Sequence, residues 1–280
     1  MLGIIDVGGG MRGSFTAGIY DYFLDRGIQP FDYLIGVSAG SGNMVSYLAG
    51  QRGRNLRFYL DYAFRREYMS MHNMLRTGSY INLDYPYTFL SGPGGEDPVD
   101  LEVFNQSAAR YEAVVTDAET GDPVYYDRSE LREGNFDAIK ASCCVPGACR
   151  PYPVKGRPGF DGGVADPVPY RRALEQGCDR LVLLLTRPVD YLRPPLERRE
   201  VMEKALSRWP MAYAALLRRS VRYNRDVAAV RELERAGKAL VVGPSDIGGM
   251  GTLTKDREAV ERLYHMGYAE GPKIMEFVNS

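Results

Sequence analysis

A serine stands between two glycines in the stretch Gly36-Val37-Ser38-Ala39-Gly40, directly after the apolar run Tyr33–Val37. A G-x-S-x-G turn between a strand and a helix is the setting of a serine nucleophile. Gly36 and Gly40 leave room for a sharply bent backbone, so Ser38 can project at the start of the following helix. The unpaired N–H groups and the helix dipole there favour negative charge. Acyl transfer to a serine makes an oxyanion, and the N–H of Ala39 is a natural donor to it. A second glycine-rich turn, GGGMRG from Gly8 to Gly13, follows the apolar run Leu2–Val7. Gly8, Gly9 and Gly10 offer further backbone donors, because a glycine backbone can approach a reacting carbon closely.

A serine hydroxyl needs a base, and the chain has 2 histidines. His72 lies in a tyrosine-rich segment, and His265 lies inside a helical pattern with Val260, Leu263 and Tyr264. Both read as structural or surface residues. The next candidate is Asp161 in FDGGVADPVP, between Phe160 and the pair Gly162-Gly163. Taken alone, Asp-Gly reads better as β-turn chemistry.

Three rival readings stand beside the nucleophile. GGGMRG also fits the dinucleotide fingerprint G-x-G-x-x-G, which calls for an acidic residue at the end of the second strand, roughly 20 residues on. Gly36–Gly40 occupies that end, while Asp32 sits at the opposite edge. An ordinary α/β-hydrolase triad would run Ser38, an aspartate, His265. That fold builds several strands before its elbow, whereas one precedes Ser38. The third rival is a non-enzymatic lipid-binding module that keeps the fold without turnover.

These residues need elements to position them. Leu2–Val7 and Tyr33–Val37 read as buried strands. Between them, Phe15, Ile19, Tyr22 and Phe23 mark one face of a helix over 14–26, closed by Gly27. Asn43–Ala49 continues as a helix. This β-α-β-α opening makes the strands parallel neighbours through a right-handed crossover. Both glycine turns then open on the carboxyl edge of the sheet, roughly 4.8 Å apart, where α/β folds hold ligands. Residues 112–127 read as two strands around Glu-Thr-Gly-Asp, and 180–186 and 239–242 as two more. The stretch 187–198 reads as a loop; helices fill 209–236 and 255–278. The expected architecture is one α/β domain over 1–280, a three-layer α/β/α sandwich with a mostly parallel sheet. Residues 55–100 would form a cap over the active-site edge, and 199–280 a mainly helical C-terminal part.

Composition sets the outer bounds. The 280 residues carry 35 basic and 36 acidic side chains, a formal net charge of -1. That balance carries no footprint for nucleic acid. Cys143, Cys144, Cys149 and Cys178 have no zinc-ligand spacing and read as reduced, buried side chains, which suits a reducing cytoplasm. The N-terminus lacks a signal-peptide pattern, and no apolar run approaches the ~18 residues of a membrane span. The stretch 209–225 places Trp209, Tyr213, Leu216 and Leu217 near one face, with Arg218, Arg219, Arg222 and Arg225 close by. It reads either as a helix that docks on a lipid surface or, more commonly, as a core-facing helix with a solvated arginine side. The expected location is cytoplasmic, with contact at a membrane surface at most peripheral.

Taken together, GGGMRG, GVSAG and DGG resemble the patatin-like phospholipases in order and chain region. ASCCVPGACRPYPVKGRPGFDGG is similar to that family's Ala-Ser-x-x-x-Pro run leading into Asp-Gly-Gly. The resemblance covers about residues 2–50 and 138–190. It implies hydrolysis of lipid acyl esters by a serine–aspartate dyad without histidine, metal or organic cofactor. On this resemblance Ser38 is the nucleophile and Asp161 the base. Gly8, Gly9, Gly10 and Ala39 form the oxyanion hole, and Arg12 fills the basic position of the glycine motif. Asp166 departs from it, since many relatives carry asparagine there; it would put a second carboxylate near the site.

Overall fold

The computed structural model describes residues 1–280. Eight strands make one mixed sheet: β1 (Leu2–Asp6), β2 (Tyr33–Val37), β3 (Arg110–Asp117), β4 (Pro123–Asp127), β5 (Tyr152–Val154), β6 (Arg157–Asp161), β7 (Arg180–Leu184) and β8 (Ala239–Val242). Their order is β5-β6-β3-β2-β1-β7-β8, with β4 paired along β3. The run from β3 through β2, β1 and β7 to β8 is parallel. The β3–β4, β3–β6 and β5–β6 pairs are antiparallel. Ten helices surround the sheet: α1 (Ser14–Leu24), α2 (Ala39–Leu48), α3 (Arg54–Leu60), α4 (Met71–Thr77), α5 (Leu101–Gln106), α6 (Asp137–Ser142), α7 (Tyr170–Glu175), α8 (Arg199–Ala205), α9 (Pro210–Arg235) and α10 (Arg257–Asn279).

Side-chain alternation along the central strands divides the core in two. Ile4, Leu34, Val182 and Leu184 join a large cluster with residues of α1, α2 and α10. Their neighbours Ile5, Ile35, Leu181 and Leu183 join a second cluster with residues of α7 and α9. Both faces are therefore covered, which is why these strands read as continuous apolar runs. The molecule is the expected α/β/α arrangement. No helix is long and apolar enough to cross a membrane.

Several elements differ from expectation. α2 starts at Ala39, immediately after the serine, not at Asn43. The β5–β6 hairpin was not legible, because prolines at 153 and 158 disguise it. Its two-residue loop is Lys155-Gly156, with φ of 50° and 79°, the tight hairpin geometry with both central residues left-handed. The first part of 55–100 does form helices, and Phe58, Tyr59, Tyr62, Tyr68 and Tyr87 line one cleft together with Ser38. On α9, Ala212, Ala215 and Leu216 are buried, and Trp209 at its cap meets Phe160 edge-on with ring centroids 6.5 Å apart. Arg218 is exposed, whereas Arg219 is partly buried on the inner side.

Candidate active site

Ser38 sits between β2 and α2 with φ 55° and ψ -131°. A non-glycine residue in this region carries a cost of about 1–3 kcal/mol that the surroundings must hold in place. Here they do so with specific bonds. The Ser38 N–H donates to Ser142 Oγ at 2.9 Å, and the Ser41 hydroxyl donates to the Ser38 carbonyl at 2.6 Å. A Cβ on Gly40 would lie 2.6 Å from the Asp6 carboxylate, so the first turn of α2 settles directly on the end of β1.

The glycine loop after β1 has φ of 62°, 141° and 58° at Gly8, Gly9 and Gly10, a path that side-chain-bearing residues resist. Its ends are tied down. Gly8 N–H donates to Asp6 Oδ1 at 2.9 Å, and the Thr186 hydroxyl donates to the Gly8 carbonyl. Met11 N–H donates to the Thr252 carbonyl at 2.9 Å. The N–H groups of Gly9, Gly10 and Ala39 have no such partner. Gly8 thus shapes the loop, but its N–H is engaged. The expectation that Gly8 donates to an oxyanion is corrected on this ground, and Gly9, Gly10 and Ala39 keep free N–H groups. Gly13 lies at the start of α1, where its carbonyl accepts from Asn43 Nδ2 at 2.9 Å. Gly36 pairs with Asp6 across β1 and β2.

Asp161 ends β6 opposite Val115 of β3, and the carboxylate accepts the Gly163 N–H at 2.8 Å. Asp161 is 5% exposed and Ser38 7%, and both line one cleft. Burial raises the Asp161 pKa; Arg219, the nearby Ser38 hydroxyl and the Gly163 N–H act in the opposite direction, and burial wins. The Thr116 hydroxyl donates to the Asp161 carbonyl at 2.9 Å, fixing the turn through Gly162. Asp166 does not join them. The Tyr125 hydroxyl donates to its Oδ2 at 2.7 Å, outside the clefts that hold Ser38, which corrects the expectation of a second carboxylate near the site. His72 and His265 are exposed on α4 and α10 and line neither cleft.

Two clefts meet at Ser38. The first encloses about 780 Å³ including its mouth and is mainly apolar, lined by Met11, Phe58, Tyr68, Met69, Ile81 and Leu90 among others. The second encloses about 700 Å³ and is polar, with Arg12, Arg187, Arg193 and Arg219 beside Asp161. Sequence reading missed Asp6, Arg187, Arg193 and Arg219. Arg187 alone carried a signal, since it follows β7 on the carboxyl edge of the sheet.

A model of the patatin-like phospholipase family matches residues 7–174, the span that holds Ser38 and Asp161. A second model, described as a domain of unknown function, matches residues 210–280. The uncharacterized protein YjjU of Escherichia coli is 28% identical over 199 residues, which cover 69% of this chain and 54% of that protein. An uncharacterized NTE family protein of Mycobacterium tuberculosis is 40% identical over 72 residues, 26% of this chain and 18% of its own length. The chain thus spans about half or less of the curated relatives it matches. Among solved structures, VipD from Legionella pneumophila superposes with a TM-score of 0.51 at 14% identity, covering 99% of this chain and 66% of that one. That last likeness concerns the fold alone.

Proposed function

Because the chain belongs to the patatin-like phospholipase family, we propose that it is a lipid acyl hydrolase working through Ser38 and Asp161. The family supports hydrolysis of lipid esters; the dyad and the acyl-enzyme are this reading's finer content. One observation carries it: a strained, buried serine stands where an apolar cleft meets a polar one, with a buried carboxylate close to its hydroxyl. The acyl chain lies in the apolar cleft. Ser38 Oγ attacks the ester carbonyl carbon while Asp161 takes its proton. The oxyanion accepts hydrogen bonds from Gly9, Gly10 and Ala39. When the tetrahedral species collapses, the C–O bond to the alcohol breaks and Asp161 returns the proton to the leaving oxygen. Asp161 then deprotonates a water that attacks the acyl-enzyme carbonyl; the second tetrahedral species collapses by breaking the bond to Ser38 Oγ, which takes the proton back from Asp161, and the fatty acid leaves. Burial raises the Asp161 pKa, which makes the carboxylate a better proton acceptor than an exposed aspartate. Residues 1–280 act as one catalytic unit, since the segment after 209 contributes Arg219 and Thr252 to the clefts.

The test is a serine-reactive fluorophosphonate probe with a p-nitrophenyl ester assay. Labelling is expected in the wild type and absent in Ser38→Ala. Asp161→Asn keeps the shape but removes the base, and kcat is expected to fall by about 100-fold or more. Labelling that persists in Ser38→Ala, or an active Asp161→Asn, would overturn the dyad.

A further inference from the structure

The second cleft holds more positive charge than hydrolysis requires. Arg12 comes from the glycine motif, Arg187 and Arg193 from the loop after β7, and Arg219 from α9. Arg12 is 3% exposed. The Nε atoms of all four are buried and have no hydrogen-bond partner. No carboxylate is ion-paired with any of them, and the one acidic residue lining the cleft is Asp161. A methyl group on Gly163 would lie 3.0 Å from both Arg219 Nη2 and Asp161 Oδ1, so the cluster reaches to the edge of the reacting site.

The cluster is held in place rather than splayed into solvent. Asn224 clamps the Arg193 backbone, accepting its N–H at 2.8 Å and donating to its carbonyl at 3.1 Å. The Arg187 guanidinium lies 4.3 Å from the Tyr191 ring centroid and that of Arg193 4.8 Å from Tyr223. Arg12 donates to the Met250 carbonyl at 3.4 Å. Burial first, and then Arg187 and Arg193, hold the Arg12 guanidinium below its ordinary value. Guanidinium groups stay charged in proteins, so the four repel one another across a half-dry cleft. Unpaired buried donors and unbalanced charge of one sign are both relieved by a compact polyanion with several acceptor oxygens. Phosphate fits the planar forks of arginine in this way.

We propose that this cleft takes the phosphomonoester group of an acylglycerol phosphate, with the acyl chain in the apolar cleft and the ester carbonyl at Ser38. The substrate class rests on the hydrolase reading above. A phosphomonoester carries about -1.5 to -2 charges near neutrality and three free acceptor oxygens. A choline or ethanolamine diester carries one negative charge and a cation, and the cation would find four arginines and no carboxylate other than Asp161.

The test is binding to full-length Ser38→Ala, which needs no turnover. Four probes are titrated: 1-octanoylglycerol 3-phosphate, 1-octanoylglycerophosphocholine, 1-octanoylglycerol and inorganic phosphate. The phosphomonoester is expected to bind at least about tenfold more tightly than the choline diester or the neutral glyceride. Adding Arg187→Gln or Arg193→Gln should weaken the phosphomonoester about tenfold with little effect on the neutral glyceride. Arg218→Gln, exposed on the outer side of α9, serves as the control and should change neither. Equal affinity for the three acyl ligands, or loss of all three alike in the arginine variants, would overturn the proposal. Inorganic phosphate binding as tightly as the acyl phosphate would also overturn it, in favour of a site for free phosphate. Wild-type hydrolysis is read separately. Arginine-dependent binding without fatty-acid release supports the anion site and defeats the hydrolase reading instead.

Discussion

At the scale of single residues, Asp6 shows how closely the two turns are joined. It is fully buried, accepts the Gly8 N–H, receives the Tyr20 hydroxyl at 3.3 Å and lies against Gly40. Burial pushes its carboxyl up to about 6, against the opposing pull of those hydrogen bonds. In the unfolded chain the same group titrates near 3.9. Between these values the folded protein keeps a proton that the unfolded chain has lost. The Asp6 contribution to stability is therefore full below about pH 4 and falls by roughly 3 kcal/mol as pH rises through 6. Asp6→Asn keeps an acceptor for Gly8 and cannot ionise. Its stability relative to wild type should rise by roughly 3 kcal/mol between pH 4 and pH 7, as read by urea denaturation at several pH values. Parallel pH profiles for the two proteins would show that Asp6 is not buried as described.

At the scale of elements, the site depends on a close helix crossing behind it. α1 follows the glycine loop and packs against α10, with glycines at both points of contact. A Cβ on Gly267 would collide with the Phe15 carbonyl, and one on Gly18 with that of Tyr264. Alanine is the better helix former by about 1 kcal/mol, yet overpacking a contact between backbones costs about 1–3 kcal/mol and wins here. Gly267→Ala should lower the melting temperature by several degrees. An unchanged or higher melting temperature would mean that the helices separate freely. Legibility in the sequence also divides by element. The parallel strands were readable because burial on both faces makes them unbroken apolar runs. The β5–β6 hairpin was not, since its prolines and left-handed turn look like loop chemistry. Ser38, Asp161 and the glycines of the candidate site were legible because each motif is contiguous. Asp6 was hidden inside an apolar run, and the cleft arginines come from the glycine motif, a stretch that reads as a loop and a helix side that reads as solvated charge. Convergence of segments far apart in sequence leaves no local signature.

At the scale of the whole molecule, the sheet is built from its middle outward. β1 pairs early with β2, but its other neighbour is β7, and the loop beyond it is tied to Thr186 and Thr252. The Gly8–Gly10 loop is therefore framed by one segment made at the beginning of synthesis and two made much later. This sets an order in time. A ribosome-bound chain can display Ser38 long before the loop opposite it is clasped, so reactivity at Ser38 is expected only late in translation. Stalled nascent chains of increasing length, exposed to the fluorophosphonate probe, should label only once residue 252 has cleared the exit tunnel. Labelling of shorter chains would show that the loop sets itself. The clasp at Thr252 is thus a late event: the loop opposite Ser38 is closed by a segment that leaves the ribosome near the end of synthesis.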